Sequence, residues 1–370
     1  LSESVPTVAH SEYYLKILHN KATLRRIIRE TTQIAENAYG DVENIDAFID
    51  ETEKTILKVT QDRSAGEFRD IRGVIKSVTD RLNLLQKIDG NISGVKSGFR
   101  DLDKITSGFQ KGDLIILAAR PAMGKTAFAL NLAHNAAYKA EEPVAIFSLE
   151  MPAEQLVQRV ICSMGGIEGS SMRTGEILKT NANKYYAAAE RVSKCNMYID
   201  DSPGIKINDI VAKSRKLKSE HGLRMIVIDY LQLITTASKN KENRQQEVSE
   251  ISRTLKALAR ELEVPVISLS QLSRSVEQRP NKRPMMSDLR ESGAIEQDAD
   301  IVSFIYREDY YKDPGEESED NGLTEIIIAK HRNGATGEVN LAFEKNYSRF
   351  SDLAQMGPDG TSEGVRDLRS

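Results

Sequence analysis

The sequence predicts an α/β protein: a mostly parallel sheet flanked by helices, preceded by a segment that is helical alone. Three observations carry this. Beyond Gly90, short apolar runs alternate with longer stretches of helical periodicity. Those runs are apolar nearly throughout, as strands covered on both faces must be. Before Gly90 only the three-and-four spacing of amphipathic helices is present.

From Ser11 to about Thr60, Leu15, Leu18, Leu24, Ile27, Ile28, Ile45, Phe48, Ile49 and Ile56 recur at helical spacing, broken at Tyr39-Gly40-Asp41. A helical hairpin or small bundle is expected over residues 1–62. Polar residues 61–66 follow, and then Ile71, Val74, Ile75, Val78, Leu82 and Leu85 form one stripe in a connecting segment, 63–92. That stripe must be buried by its own domain or by a neighbouring subunit. The main domain is expected over 93–356, with strands at Asp113–Ala119, Pro143–Leu149, Asn196–Ile199, Arg224–Ile228, Pro265–Ser270, Ile301–Tyr306 and Thr324–Ala329. Residues Gly337 to Asp352 read as an antiparallel hairpin at one edge. Helices are expected over Asn208–His221, closed by Gly222, and over Gln245–Glu263. The acidic stretch Glu308–Asp320 reads as a surface loop and residues 357–370 as a loose tail.

Composition narrows the function classes. With 39% apolar and 29% charged residues the chain can bury a real core, unlike a disordered one. No run approaches the roughly 20 apolar residues of a membrane span, and no signal peptide opens the chain, so a cytoplasmic protein is expected. Cys162 and Cys195 lack metal spacing, which argues for a reduced compartment and against zinc. A formal charge of -4 gives no overall pull toward nucleic acid, so any such binding must be local. The chain opens on Leu1 without a clear domain start, and a piece of a longer protein is expected.

The clearest chemistry lies at Leu114-Ile-Ile-Leu-Ala-Ala-Arg-Pro-Ala-Met-Gly-Lys-Thr126, an apolar strand running through a loop into a helix. Such a loop cradles phosphates with its backbone N–H groups, here those of Ala122, Met123, Gly124, Lys125, Thr126 and Ala127. Lys125 can reach the β- and γ-phosphates, and the Thr126 hydroxyl can ligate Mg²⁺, so the chemistry fits ATP. The pattern ordinarily begins with Gly where this chain has Ala119, which requires ordinary backbone angles there. Met225-Ile-Val-Ile-Asp229 is a second apolar strand ending in a carboxylate, and Asp229 is the candidate partner of Mg²⁺. Glu150 ends a third strand, where it can activate the attacking water or simply favour the following helix N-terminus. Gln271 ends a fourth, as γ-phosphate sensor or solvated strand end. Lys330 and Arg332, two apart on a strand, share a face; they read as phosphate-stabilising cations or as solvated charges.

Taken together, these blocks resemble the bacterial DnaB-type replicative helicases, which are RecA-like ATPases. The resemblance rests on Ser97-Gly-Phe-Arg-Asp-Leu-Asp103, Thr106-Ser-Gly-Phe109, Ala118-Ala-Arg-Pro-Ala-Met-Gly-Lys-Thr126, Phe147-Ser-Leu-Glu-Met151, Ile228-Asp-Tyr-Leu-Gln232, Ser268-Leu-Ser-Gln-Leu-Ser-Arg274, Asp288-Leu-Arg-Glu-Ser-Gly293 and Ala329-Lys-His-Arg-Asn-Gly334. Ala119 is itself usual in that family. The resemblance implies a homo-hexameric ring that translocates on single-stranded DNA, with ATP and Mg²⁺ at each subunit interface. It implies that Glu150 is the catalytic base, that Gln271 couples hydrolysis to DNA, and that Lys330 and Arg332 reach the neighbour's γ-phosphate. Arg290, Glu291 and Gly293 match positions that hold the DNA backbone, within a segment made basic by Arg274, Arg279, Lys282 and Arg283. The Ile71–Leu85 stripe matches a linker helix docked on the adjacent subunit, and residues 1–62 match only the later part of the family's helical N-terminal domain. Primase and a loader ATPase are implied as partners. Three other readings share the phosphate cradle: a recombinase filament, against which stand the linker-helix segment and the Lys330/Arg332 pair; a small-molecule kinase, which needs a second substrate pocket where this sequence offers a basic loop and long surface helices; and a non-enzymatic assembly module, which loss of ATP turnover with retained binding would reveal.

Overall fold

The computed structural model describes residues 11–40, 70–86, 92–236, 244–289, 293–311 and 322–353, with a few positions between 44 and 56. The chain divides into two compact units, Leu1–Leu84 and Leu85–Ser370. In the first, one helix, α1, runs over Ser11–Tyr39 and ends at the expected break beside Gly40. Helical hydrogen bonds resume from Phe48 N–H to the Asn44 carbonyl. Most of the second arm of the expected hairpin lies outside the described residues. The stripe segment is a helix as expected, α2 (Ile71–Leu85). Its Ile71, Ile75, Val78 and Leu82 are all more than half exposed.

The second unit is built on one nine-stranded sheet in the order β3-β2-β4-β5-β1-β6-β7-β8-β9. The strands are β1 (Leu114–Ala119), β2 (Val144–Ser148), β3 (Met197–Asp200), β4 (Met225–Asp229), β5 (Val266–Gln271), β6 (Ile301–Tyr306), β7 (Leu323–His331), β8 (Gly337–Glu344) and β9 (Arg349–Asp352). The first six pair in parallel and the last three add on antiparallel. Helices on both faces leave the central strands no solvent side. Every residue of β1, β2 and β4 is accordingly buried, and their apolar runs need not alternate. Successive side chains of β1 still feed opposite cores. Ile115, Leu117 and Ala119 join Phe128, Leu132 and Phe350 on one face, and Leu114, Ile116 and Ala118 join Ile251, Leu255 and Phe304 on the other.

The remaining helices are α3 (Arg100–Thr106), α4 (Lys125–His134), α5 (Ala153–Gly165), α6 (Gly169–Thr174), α7 (Glu176–Thr180), α8 (Ala182–Ser193), α9 (Ile207–His221), α10 (Arg244–Leu262) and α11 (Gly293–Asp298). The start of α9 is one residue earlier than its expected bound, and it closes on Gly222 at φ 72°, the left-handed turn glycine takes most readily. In the acidic stretch, Asp309–Tyr311 forms a 3-10 turn. Residues 312–320 and the tail lie outside the described residues.

Candidate active site

Parallel strands carry the ends of β1, β2, β4 and β5 to one edge of the sheet, and the four strand-end motifs of the sequence meet there. Ala119 pairs with Gln271 and Ser148 with Asp229. Ala119 finishes β1 without a left-handed backbone, so its side chain is tolerated where the general motif has Gly. The turn is made later, by Ala122 at φ 64° and Gly124 at φ 93°. A non-glycine residue in that region is strained, a condition found mostly at functional sites.

Lys125 and Thr126 open α4 directly behind this turn. The Thr126 hydroxyl donates to Asp229 Oδ2 at 2.6 Å, while Asp229 Oδ1 is buried without a hydrogen-bond partner. A hard hydroxyl and carboxylate pair with one oxygen still unsatisfied suits a small divalent cation that takes its other ligands from phosphate and water. Among the described residues no cluster of three or more His, Cys, Asp or Glu offers an all-protein cage instead. The Lys125 ammonium lies 3.4 Å from the Ser270 carbonyl and 4.9 Å from the Tyr230 ring centre. Burial pushes its pKa below the ordinary lysine value, and the charges of Asp229 and Glu150 oppose that shift. Anionic phosphates would oppose it further, so this lysine is poised to gain from binding them.

These residues face a cleft of about 920 Å³ that includes Ala122, Gly124, Thr126, Ala127, Glu150 and Gln271 in its lining. Met123 differs from the other loop residues. Its side chain enters the core at 1% exposure and its N–H bonds to the Arg120 carbonyl at 3.4 Å. Several lining residues were not foreseen. Tyr230 follows Asp229 directly. Arg120 is almost fully buried, and its guanidinium binds Glu277 at 2.8 Å and the Leu272 carbonyl at 2.9 Å. Arg159 lies on the cleft face of α5 with Gln155 and Cys162. That face has helical spacing one turn beyond Glu150, a signal available in the sequence. Lys345 and Asn346, from the β8–β9 turn, carry none.

Lys330 and Arg332 are elsewhere. β7 runs against β6, with Lys330 opposite Val302 and His331 opposite Ile301, and Ile301 is level with Ile115 at the start of β1. The phosphate loop leaves the other end of β1, four residues on, or about 13 Å along the strand. The Lys330 ammonium is held by the carbonyls of Glu296 at 2.5 Å and Ala299 at 2.7 Å, and Arg332 by that of Gln297 at 3.1 Å.

Of the residues matched to DNA contacts, Gly293 opens α11, while Arg290 and Glu291 lie outside the described residues. Two cations of the basic segment are used inside the fold. Arg279 pairs with buried Asp288 at 2.7 Å, and Arg283 bridges Glu325 and Glu338 at 2.6 Å each. Lys282 lies over the Tyr311 ring.

A parallel sheet with a phosphate loop after its central strand, and a carboxylate ending the strand two places away, defines a RecA-like P-loop nucleotide hydrolase. Comparison gives the family. Residues 94–352 match the family model described as DnaB-like helicase C terminal domain. The chain is 55% identical over 353 residues to the replicative DNA helicase DnaB of Geobacillus stearothermophilus, covering 95% of this chain and 77% of that protein. It is 45% identical to the DnaB of Haemophilus influenzae, covering 96% of this chain and 77% of the relative. A solved structure of a DnaB-like replicative helicase and its interactions with primase superposes with a TM-score of 0.78 at 38% identity, covering 95% of this chain and 81% of that one. The ATPase domain of G40P does so at 0.72 and 44%, covering 78% and 100%. The chain belongs to the DnaB family of replicative DNA helicases, and it is an ATP-driven DNA helicase. Among the described residues no helix is long and apolar enough to cross a membrane.

Proposed function

We propose that the chain works as one subunit of a homo-hexameric ring that hydrolyses ATP between neighbouring subunits while moving along single-stranded DNA. The observation that carries this is the separation within one subunit: the phosphate loop leaves the C-terminal end of β1, whereas Lys330 and Arg332 sit level with its N-terminal end. The pair cannot serve its own phosphate loop. It can serve a neighbour's.

In this reading the N–H groups of Ala122 and of Gly124 to Ala127, with the Lys125 ammonium, bind the β- and γ-phosphates, while Met123 fixes the loop from the core. Thr126 and Asp229 hold Mg²⁺, which neutralises phosphate charge as it develops. Glu150, exposed on the cleft wall, orients the attacking water and takes its proton. Gln271, level with Ala119 on the adjacent strand, contacts the γ-phosphate and carries its loss into the segment that follows. Lys330 and Arg332 enter the neighbour's site and stabilise the charge on the transferred group. Arg290, Glu291 and Gly293 hold the DNA backbone, contacts that are blind to sequence, as a translocating motor requires. Residues 1–62 act as part of an N-terminal collar, and the apolar stripe of α2 in the connection 63–92 docks on the adjacent subunit. Primase and a loader ATPase bind the ring, and the setting is the cytoplasm, where bacterial replication runs.

The test mixes two inactive variants. Glu150→Gln lacks the base and Arg332→Ala lacks the trans cation; each alone is expected to hydrolyse ATP at least about a hundredfold more slowly. In mixed rings, some interfaces join an intact Glu150 from one subunit to an intact Arg332 from its neighbour, so activity returns. No recovery at any mixing ratio, with both variants still binding nucleotide, would overturn the assignment.

A further inference from the structure

The two trans cations do not hang free, and what holds them is specific. Asp300 immediately precedes β6, and its side chain is only 4% exposed. Its Oδ2 accepts the Leu114 N–H at 2.8 Å and also binds the Lys256 ammonium. Its Oδ1 faces Arg332 Nη1 at 3.5 Å, and its own carbonyl accepts the Arg332 N–H at 2.8 Å. One buried carboxylate thus grips the base of the Arg332 arm through both main chain and side chain, while 45% of that arm stays exposed. The Gln297 carbonyl takes a further guanidinium N–H. Five donors in a rigid plane leave several still able to meet a phosphate.

We propose that Asp300 is a positioning residue for the trans-acting pair: it fixes the direction in which Arg332 leaves the sheet, so that the guanidinium is presented at the subunit surface. This rests on the reading that Lys330 and Arg332 act across an interface. Ordering a long cation before the neighbour arrives removes rotamer freedom that would otherwise be lost in the transition state. The buried setting strengthens the grip, because charges attract more strongly away from water. Asp300 also joins the arm to the rest of the sheet. Leu114 starts β1, the strand that ends in the phosphate loop, and Lys256 lies on α10. Lys330 is held next door by the C-terminal carbonyls of α11, so both cations share one rigid base.

The experiment compares Asp300→Asn, Arg332→Ala and the double variant in the full chain. It follows kcat and KM for ATP, affinity for a fluorescent ATP analogue, and the melting transition. Asparagine keeps an acceptor for the Leu114 N–H and loses only the charge. The expected result is a kcat lower by about tenfold to a hundredfold with analogue affinity unchanged. The double variant should be no slower than Arg332→Ala alone, since Asp300 acts through that arginine. A purely structural role would instead lower affinity, kcat and melting together, and would slow Arg332→Ala further; either pattern overturns the proposal. If Asp300→Asn does not fold, Asp300→Glu retains the charge for Lys256 while displacing it, and the same non-additivity with Arg332→Ala is expected. An Arg332→Ala chain that keeps its kcat would remove the trans reading itself. A slow Arg332→Ala beside an unimpaired Asp300→Asn removes only the role of Asp300.

Discussion

Replacing Asp113 with asparagine should stabilise the sheet unit at neutral pH and lose that advantage in acid. Asp113 precedes β1 and is 7% exposed. Burial, and then the negative charge of Asp300, push its carboxyl from 3.8 up to about 6, against the opposing pull of Lys256, His331 and Arg332. A raised acid pKa means that the folded state holds its proton more tightly than the unfolded state. The stability this contributes is complete below about pH 4 and is lost as pH rises through about 6. The full shift corresponds to about 3 kcal/mol at about 1.4 kcal/mol per pK unit, of which about 2 kcal/mol falls between roughly pH 4.5 and pH 8. Asparagine does not titrate, so the difference between the two proteins isolates this one group. Urea unfolding of the wild type and Asp113→Asn at several pH values is the assay. The variant should gain about 2 kcal/mol on the wild type between the two extremes. A difference that stays constant with pH would refute a strained carboxylate at this position.

Three further outcomes follow from the site. Thr126→Val should abolish Mg²⁺-dependent hydrolysis while Thr126→Ser retains most of it, because only the hydroxyl reaches Asp229; equal loss in both would deny the hydroxyl its role. Gly124→Ala should cost about 1–3 kcal/mol and weaken nucleotide binding. Its residue sits at φ 93°, and an added Cβ would meet the Phe343 ring at 3.0 Å; wild-type melting and affinity would contradict this. Phe128→Ala should destabilise by about 3–5 kcal/mol in denaturant unfolding. Phe128 is 1% exposed and packs between Phe99 and Phe350, with ring centres 5.4 Å and 5.1 Å away; a loss below about 1 kcal/mol would mean that the core refills.

The strands were legible because burial on both faces leaves only apolar residues in β1 and in all but the last positions of β2 and β4, and each run ended at or just before a residue that the sheet edge then collects: the phosphate loop, Glu150, Asp229 and Gln271. What local sequence could not carry was pairing across the chain. Arg283 looked like part of a basic nucleic-acid surface, yet Glu325 and Glu338, far along the chain on β7 and β8, take its charge. Arg120 looked like a loop residue, and its buried tie to Leu272 and Glu277 depends on β5 lying beside β1. Lys330 and Arg332 were read as neighbours on one strand face, but β7 ends at His331 and Arg332 opens the turn that follows. Their distance from the phosphate loop depends on β7 running against β6, a fact of topology.

That topology also constrains how the proposed ring couples its two ligands. The cations proposed to reach a neighbour's phosphate are held by carbonyls at the C-terminal end of α11, and the same six-residue helix begins at Gly293, a candidate DNA contact. Six residues of helix span about 9 Å and transmit displacement as a unit. Ile295 at 0% exposure anchors the middle of that helix in the core. If Gly293 holds the DNA backbone and the two cations act across the interface as proposed, a displacement at Gly293 would reach the carbonyls that seat Lys330 and Arg332, and would alter hydrolysis at the adjacent subunit rather than in the subunit that gripped the DNA. Coupling of this kind runs in both directions where it concerns binding, so a nucleotide that draws the cations across the interface must also change the affinity of that segment for DNA.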